Sequence, residues 1–406
     1  MSGPVLKSVI IVGGSLAGLM HALTLLSLPS PPEVRILERS PTALLHNQGA
    51  GVVAGNETQE FFEKVVKPGR EIAITSQLRH YLDREGNVME GTVEHRQQRM
   101  TSWDLLYHLL RWRVGGMQSE YVKGLPEDDR PKARYENGCT VTSIEQIGDK
   151  VKLTWTQKDS GEQSAQADMV IAADGGSSTL RRLLQPEVER KYAGYVAWRG
   201  TVPETELSDA AREVFFEKFA FFHQTGLQAL GYLIPGENGA TERGKRLFNW
   251  ITYCNYADGS AELERLMTDV HGKRHAITLP VGTMNSAVWE DQKTYAAKVL
   301  PPQYAEVVQK TQQPFIQAIT DCISPQNSFM GGKVLLVGDA LAGFRPHTAA
   351  STGQAAFDAL RMGEWMRGEI SREQYDDRVL EFARRVQKHG VELGERSQFG
   401  RHPFAG

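Results

Sequence analysis

Residues 8–38 limit the fold more than any other stretch. Ser8-Val9-Ile10-Ile11-Val12 reads as a short apolar strand that runs into Gly13-Gly14-Ser15-Leu16-Ala17-Gly18. Leu19, Met20, Leu23 and Leu26 then recur at helical spacing, and Pro29, Pro31 and Pro32 end the helix. Val34-Arg35-Ile36-Leu37 is a second strand, closing on Glu38. A strand, a glycine turn, a helix and another strand in so short a span predict a β-α-β unit and a parallel sheet. Glycine in such a turn gives a tight bend and lets the backbone approach a pyrophosphate. Gly13 and Gly18 take the outer positions. Ser15 stands where a middle glycine is usual; it can cap the helix but asks for slightly more room. The helix N-terminus offers free N–H groups to an anion, and an acid such as Glu38 suits ribose hydroxyls.

Two later strand ends bear on what that turn holds. Val334-Leu335-Leu336-Val337 stops at Gly338-Asp339, and Met169-Val170-Ile171-Ala172 leads into Ala173-Asp174-Gly175-Gly176-Ser177-Ser178-Thr179-Leu180-Arg181. The first and last elements together suggest a dinucleotide gripped at both ends. A nicotinamide has no standing need for the late Gly-Asp, whereas a flavin does.

The rest of the chain excludes several classes. Its net charge of −3 and the lack of a basic, aromatic-rich run speak against nucleic acid. No window of about eighteen apolar residues suits a membrane span. The first strand starts at Ser8, which leaves little room for a signal peptide, so a cytoplasmic location is expected. Cys139, Cys254 and Cys322 are three widely spaced thiols and imply neither a disulfide framework nor a metal site. His271 and His275 lack a partner carboxylate pair, so no metal is expected. Residues 45–60 read as a glycine-rich loop opening a helix, 78–95 as a hairpin turning at Asp83–Asn87, and Thr101–Arg113 as a helix capped by Thr101 or Ser102. Residues 138–173 read as a meander with a turn at Asp159-Ser160-Gly161. Short aromatic runs from Tyr192 to Pro280 predict an antiparallel sheet, and 293–322 and 353–392 predict helices.

With GGSLAG and Glu38, ADGGSSTLR and VLLVGDA in place, the chain resembles the class A flavoprotein monooxygenases, the p-hydroxybenzoate hydroxylase family. Gly51-Val52 with the three residues before them, Thr101-Ser102-Trp103-Asp104, Tyr192–Gly200, Leu266–Asp269 and Arg345-Pro346-His347 resemble the branch that contains 2,6-dihydroxypyridine 3-hydroxylase. The resemblance implies an α/β fold: a Rossmann-like FAD-binding domain, an inserted, mainly antiparallel substrate sheet, and C-terminal helices. The expected division is 1–76 and 97–185 for FAD, 77–96 for a substrate-domain hairpin, 186–285 for the substrate sheet, and 286–406 for the return to the FAD domain.

The resemblance also implies roles. Gly13, Gly14, Ser15, Leu16, Ala17 and Gly18 would hold the pyrophosphate, Glu38 the ribose, and Arg39 would lie near the adenine. Gly51, Val52 and Gln98 would meet the flavin or its ribityl chain, and Arg111 the phosphates. Asp174 would stand where FAD and NAD(P)H meet, supported by Arg181. Gly338 would let Asp339 reach a ribityl hydroxyl. Pro346 would border the reacting face of the flavin, with His347 as a base or as a structural hydrogen-bonding residue. Ala349 and Ser351 stand where the family has glycines, so their Cβ atoms should limit flavin sliding or re-aim the loop.

Tyr195, Trp198, His223, Tyr232, Asn249, Trp250 and Tyr253 are the substrate candidates; about half must point away, since strands alternate faces. The implied activity is NAD(P)H- and O2-dependent hydroxylation of an electron-rich aromatic or hydroxy-heteroaromatic molecule through a flavin C4a-hydroperoxide. Two alternatives stay open: an FAD oxidoreductase without oxygen insertion, and a flavin-binding protein whose activity has lapsed. A homodimer is the assembly to test.

Overall fold

The structure is a computed structural model that describes residues 3–45, 51–126, 129–157, 160–400 and 402. Residues 46–50 of the glycine-rich loop and Asp159 of the expected turn lie outside the described residues.

The β-α-β unit forms as the apolar pattern requires. Ser8–Val12 is a strand, Leu16–Leu26 a helix and Glu33–Leu37 the next strand, paired in parallel with the first. They belong to a six-stranded sheet ordered Ser328–Phe329, Val334–Leu336, Met169–Ala172, Ser8–Val12, Glu33–Leu37, Arg134–Glu136. Three of its inner strands, Val334–Leu336, Met169–Ala172 and Ser8–Val12, are almost wholly apolar because both faces are covered. On one side lie Leu16–Leu26 and Ser351–Met366, joined where the Thr24 hydroxyl donates to the Ala359 carbonyl at 3.3 Å. The antiparallel sheet Cys139–Ile147, Lys150–Gln157, Gly161–Ala167 contributes Val141, Leu153 and Trp155 to the same core. The expected meander is therefore this three-stranded sheet followed by a fourth strand, Met169–Ala172, that joins the parallel sheet.

The aromatic region is a seven-stranded sheet ordered Ala342–Gly343, Phe315–Ile323, Lys191–Pro203, Leu247–Asn255, Leu227–Ile234, Lys218–Gln224, Leu78–Tyr81. All its pairings are antiparallel except the last, where Leu78–Tyr81 runs parallel to Lys218–Gln224. Arg79 and Glu94, and Leu82 and Val88, form isolated antiparallel bridges across the expected 78–95 hairpin, and the Asp83 carboxylate accepts the Asn87 N–H at 2.8 Å.

The helix expected over 293–322 is corrected. Ser286–Val299 and Pro302–Lys310 are helical, but Phe315–Ile323 is a strand in the middle of the aromatic sheet. Pro314 stops the helix, and Ile316 and Ala318 then face the opposite side from Gln317 and Ile319, which is strand periodicity. Both helices pack on this sheet through Trp289, Ala296, Tyr304 and Val307. The stretch 353–392 is two helices, Ser351–Met366 and Arg372–Gln398; the second opens on a capping box made by Ser371 and Gln374. The helix Trp103–Gly115 is capped by Ser102, whose hydroxyl accepts the Leu105 N–H at 3.3 Å.

Candidate active site

Register brings the three glycine-acid turns together. Val12 lies opposite Ala172 and Leu37, and Ala172 lies opposite Leu336. The strands therefore end level, and Gly13, Glu38, Asp174 and Asp339 follow at the same edge. Ligands of open parallel sheets bind at this carboxyl edge. A cavity of about 310 Å³ opens there, bounded by Ser15, Leu16 and Ala17, by Gly175 and Gly176, by Asp339, and by Gly51, Val52 and Pro346. Ser351, at the start of the helix Ser351–Met366, also lines it. Two helix N-termini thus face one space, which favours a ligand with negative charge at two points.

The walls fit an extended dinucleotide. Gly338 has a φ of +56°, and a Cβ there would sit 2.8 Å from the Ala17 Cβ, so the late turn closes directly on the first. Asp339 is half-buried in the cavity wall, and no ion pair engages it among the described residues. Burial pushes its carboxyl above the ordinary range, with Arg190 pulling the other way. Such a carboxyl suits neutral hydroxyl donors better than a cation. Ser15 occupies the N-cap position of Leu16–Leu26, yet its side chain makes no capping bond, contrary to expectation; its hydroxyl is left for the cavity.

The other expected cofactor residues, Glu38, Arg39, Arg111, Asp174 and Gln98, do not line this cavity themselves. One oxygen of Glu38 accepts the Gly14 N–H at 2.8 Å and the other accepts Ser40 N–H at 2.7 Å, so its carboxylate is locked to the first turn. Gly18 packs its backbone on the Gly13 carbonyl, where a Cβ would collide at 1.9 Å. Arg39 is exposed beyond the second strand. Arg111 stacks on Tyr135 at 3.5 Å, and the Tyr135 hydroxyl donates to the Gly14 carbonyl at 3.1 Å; Arg111 therefore backs the first turn through a ring. The Asp174 carboxylate accepts the N–H groups of Thr179 and Leu180 at 2.7 and 3.1 Å and caps the helix Thr179–Leu184. It shapes the turn whose Gly175 and Gly176 face the cavity. The Arg181 guanidinium donates to the Ala340 carbonyl at 2.8 Å and ties that helix to the late turn. The Gln98 side chain accepts from Arg79 at 2.8 Å and lines a second cavity, not the first.

That second cavity, of about 160 Å³, continues past Pro346 and shares Val53, Tyr232, Ile251 and Ala349 with the first. Its floor is one face of the aromatic sheet. Tyr232, Tyr253 and His223 are on that face. Tyr195 stands just behind it, with its oxygen 2.9 Å from His347 Nε2. Trp198 and Trp250 are on the other face: Trp198 packs near Trp289, and Trp250 Nε1–H donates to the Thr311 hydroxyl at 2.8 Å. Strand alternation separates Trp198 from Tyr195 and Trp250 from Tyr253. Asn249 accepts the Gly51 N–H at 3.0 Å and fixes the cavity wall from behind.

His347 is held firmly. Arg345, two residues before it, pairs with Asp321 at 2.5 Å and Glu395 at 2.7 Å. The His347 ring lies 4.5 Å from that of Tyr253. Burial, and then the Arg345 charge, lower its pKa to about 3, so the imidazole is neutral at physiological pH. The cavity also holds residues that the sequence reading passed over: Arg79, Arg396 and His402, the last stacked face to face on His223 at 3.6 Å. Arg199 lines the first cavity and lies over Phe315. Its signal was available, since Arg199 is two strand repeats from Tyr195.

Ala349 lies between the two cavities and adopts a left-handed backbone with φ +52°. The missing glycine is therefore tolerated under strain of about 1–2 kcal/mol, partly offset by the entropy a glycine would lose. Ala349→Gly is expected to raise the urea midpoint by the equivalent of roughly 0.5 kcal/mol; a lowered midpoint would show that the alanine conformation is not strained.

Comparison with known proteins agrees with this geometry. A family model described as FAD binding domain-like matches residues 192–321. The chain is 30% identical over 361 residues to 2,6-dihydroxypyridine 3-monooxygenase of Paenarthrobacter nicotinovorans, covering 89% of this chain and 83% of that protein. The structure of 2,6-dihydroxypyridine-3-hydroxylase from Arthrobacter nicotinovorans superposes with a TM-score of 0.83 at 27% identity, over 99% of this chain and 97% of that one. A salicylate hydroxylase of Pseudomonas putida is 25% identical over 98% of this chain and 87% of its own length. Among the described residues no helix is long and apolar enough to cross a membrane, and no cluster of three or more candidate ligands could hold a metal ion. With a dinucleotide cavity at the sheet edge and an aromatic chamber opening from it, the chain belongs to the FAD-dependent aromatic monooxygenases, the family of 2,6-dihydroxypyridine 3-monooxygenase.

Proposed function

We propose that this enzyme hydroxylates a small hydroxy-aromatic or hydroxy-heteroaromatic ring that binds as an anion. One observation carries the reading: the cations Arg79 and Arg396 line the second cavity beside the neutral imidazoles of His223, His347 and His402, and no carboxylate does so among the described residues. Phe219, Phe221, Leu230 and Ile251 supply flat apolar walls for a ring. The substrates named for the relatives, a dihydroxypyridine and salicylate, are both acidic hydroxy-aromatics of this kind.

The cofactor roles are part of the same proposal. The 13–18 turn holds the pyrophosphate, Glu38 and Arg39 the adenosine end, and Arg111 supports the turn through Tyr135. Asp339 holds a ribityl hydroxyl, Gly51, Val52 and Pro346 border the flavin, and the N-terminus at Ser351 favours negative charge on it. Gln98 orients Arg79 toward the substrate. The redox chemistry and oxygen activation are what FAD supplies when bound, drawing on NAD(P)H and O2. The protein positions the ring, keeps bulk water out and moves a proton. In the tautomer whose Nε2–H donates to the Tyr195 oxygen, His347 Nδ1 accepts the substrate hydroxyl. A base whose pKa is lowered to about 3 takes that proton only as the ring gives up electron density and its hydroxyl turns strongly acidic, and the transfer spares the ring a full positive charge.

Steady-state assays with salicylate against salicylamide, and 6-hydroxynicotinate against 6-hydroxynicotinamide, test the charge. The acids are expected to have KM values about 10–100-fold lower, the size of a charge-assisted hydrogen bond, and Arg79→Gln should erase most of the difference. Amides that bind as well as the acids would remove the anionic reading. Label from isotopic O2 in the product is the test of hydroxylation itself.

A further inference from the structure

The Gly338 peptide is gripped at both ends by side chains from one helix. Its N–H donates to Asp358 Oδ2 at 2.9 Å, and its carbonyl accepts from Gln354 Nε2 at 2.7 Å. Both side chains come from Ser351–Met366, one turn apart, and both residues are 0% exposed. Arg181 holds the next carbonyls, at 3.4 Å to Asp339 and 2.8 Å to Ala340. The turn that presents Asp339 therefore has no freedom of its own; its height above the sheet follows the helix. The same helix begins at Ser351, beside the Asp339 carboxyl.

We infer that Asp358 and Gln354 are positioning residues for FAD: by clamping the Gly338 peptide they couple the ribityl anchor Asp339 to the helix N-terminus at Ser351, so that both meet the cofactor in one fixed geometry. The inference rests on the FAD reading of the first cavity. Three observations point beyond plain packing. A buried carboxyl in an apolar helix interface is costly unless hydrogen-bonded, and among the described residues Asp358 bonds to the Gly338 N–H alone. Among the described residues Asp358 Oδ1 and Gln354 Oε1 have no hydrogen-bond partner, so neither side chain is seen to serve a wider polar network. The left-handed Gly338 admits no Cβ, because Ala17 of the pyrophosphate turn fills that space at 2.8 Å. A shift of the clamp would thus be felt at both ends of the cofactor. Burial also pushes the Asp358 carboxyl up to about 8, so at neutral pH it carries its proton and asparagine is its closest mimic. Its titratable neighbour among the described residues is Tyr375 of the C-terminal helix, whose hydroxyl is itself raised by burial.

The experiment is FAD titration into the apoprotein of wild type, Asp358→Asn, Asp358→Leu and Gln354→Leu, followed by flavin fluorescence and by the visible spectrum of the bound flavin. Asp358→Asn keeps an acceptor for the Gly338 N–H and should bind within about threefold of wild type with an unchanged spectrum. Asp358→Leu and Gln354→Leu should each weaken binding at least about tenfold, the expected effect of leaving one buried peptide group unpaired, and shift the bound flavin's absorption. Circular dichroism of each apoprotein checks folding, and the asparagine variant keeps the test decisive if leucine unfolds the chain. FAD binding by Asp358→Leu within twofold of wild type, or equal losses in the asparagine and leucine variants, would overturn the inference. Failure of the wild type itself to bind FAD would instead remove the cofactor reading.

Discussion

Asp339→Ala is expected to yield a folded protein that no longer retains FAD through purification. The side chain sits at the carboxyl edge of the sheet, half-buried and without an ion-pair partner among the described residues, and it lines the cavity. Alanine removes the acceptor and leaves the ribityl hydroxyls without it. Loss of a hydrogen bond to an ionised group costs about 1.5–3 kcal/mol, which is about 10–100-fold in affinity. The backbone should hold, because Gly338 is clamped by Asp358 and Gln354, and Arg181 holds the following carbonyls. Fluorescence titration of FAD into the apoprotein reads the effect, with the melting temperature of the apoprotein as the folding control. Wild-type affinity in this variant would sink the assignment of Asp339 as the ribityl anchor.

His347→Gln carries the second large effect. If Nδ1 takes the substrate proton, product formation should fall by about 10²-fold or more, the usual worth of a positioned general base. NAD(P)H consumption should fall less, because cofactor reduction needs no proton from the substrate hydroxyl. Tyr195→Phe, which loses the 2.9 Å partner of Nε2, should give a smaller loss of the same kind.

The pH dependence has a definite sign. Burial and Arg345 lower the His347 pKa to about 3 from 6.5, so the folded protein keeps a neutral imidazole where the unfolded chain takes a proton. Stability from this group is complete above pH 6.5 and is lost as pH falls from 6.5 toward 3. Buried His21, lowered to about 4 by desolvation, acts in the same direction. Urea midpoints of wild type and His347→Gln at pH 5 and pH 7.5 separate the contributions; a wild-type midpoint that rises on acidification, or a glutamine variant with the same acid loss, would contradict the imidazole assignment. A variant that made product at the wild-type rate would show that His347 is structural.

Much of the nucleotide site was legible along the chain. Ser8–Glu38 carries its own strand, turn, helix and strand, and the physics that makes each element is local: apolar periodicity, glycine at the bend, proline at the stop. The Asp-Gly turn at 174–175 and the Gly-Asp turn at 338–339 were visible for the same reason. Legibility fell where one segment could serve two periods. Phe315–Ile323 follows helical neighbours and was expected to continue them; pairing with Lys191–Pro203 and Ala342–Gly343 makes it a strand instead. The substrate candidates were half resolved. Tyr195, Tyr232, Tyr253 and His223 gather on one face, while Trp198 and Trp250 turn to the helices behind the sheet.

The sequence by itself determined a parallel nucleotide-binding sheet, the acid at each strand end, and an aromatic sheet beside it, because each follows from neighbours within a few residues. Only the tertiary structure decided that the strands end level, that Arg79, Arg396 and His402 close one chamber with His347, and that Asp358 and Gln354 hold the turn under Asp339. Those contacts join residues far apart in the chain, and sheet register and helix packing, not local propensity, bring them together.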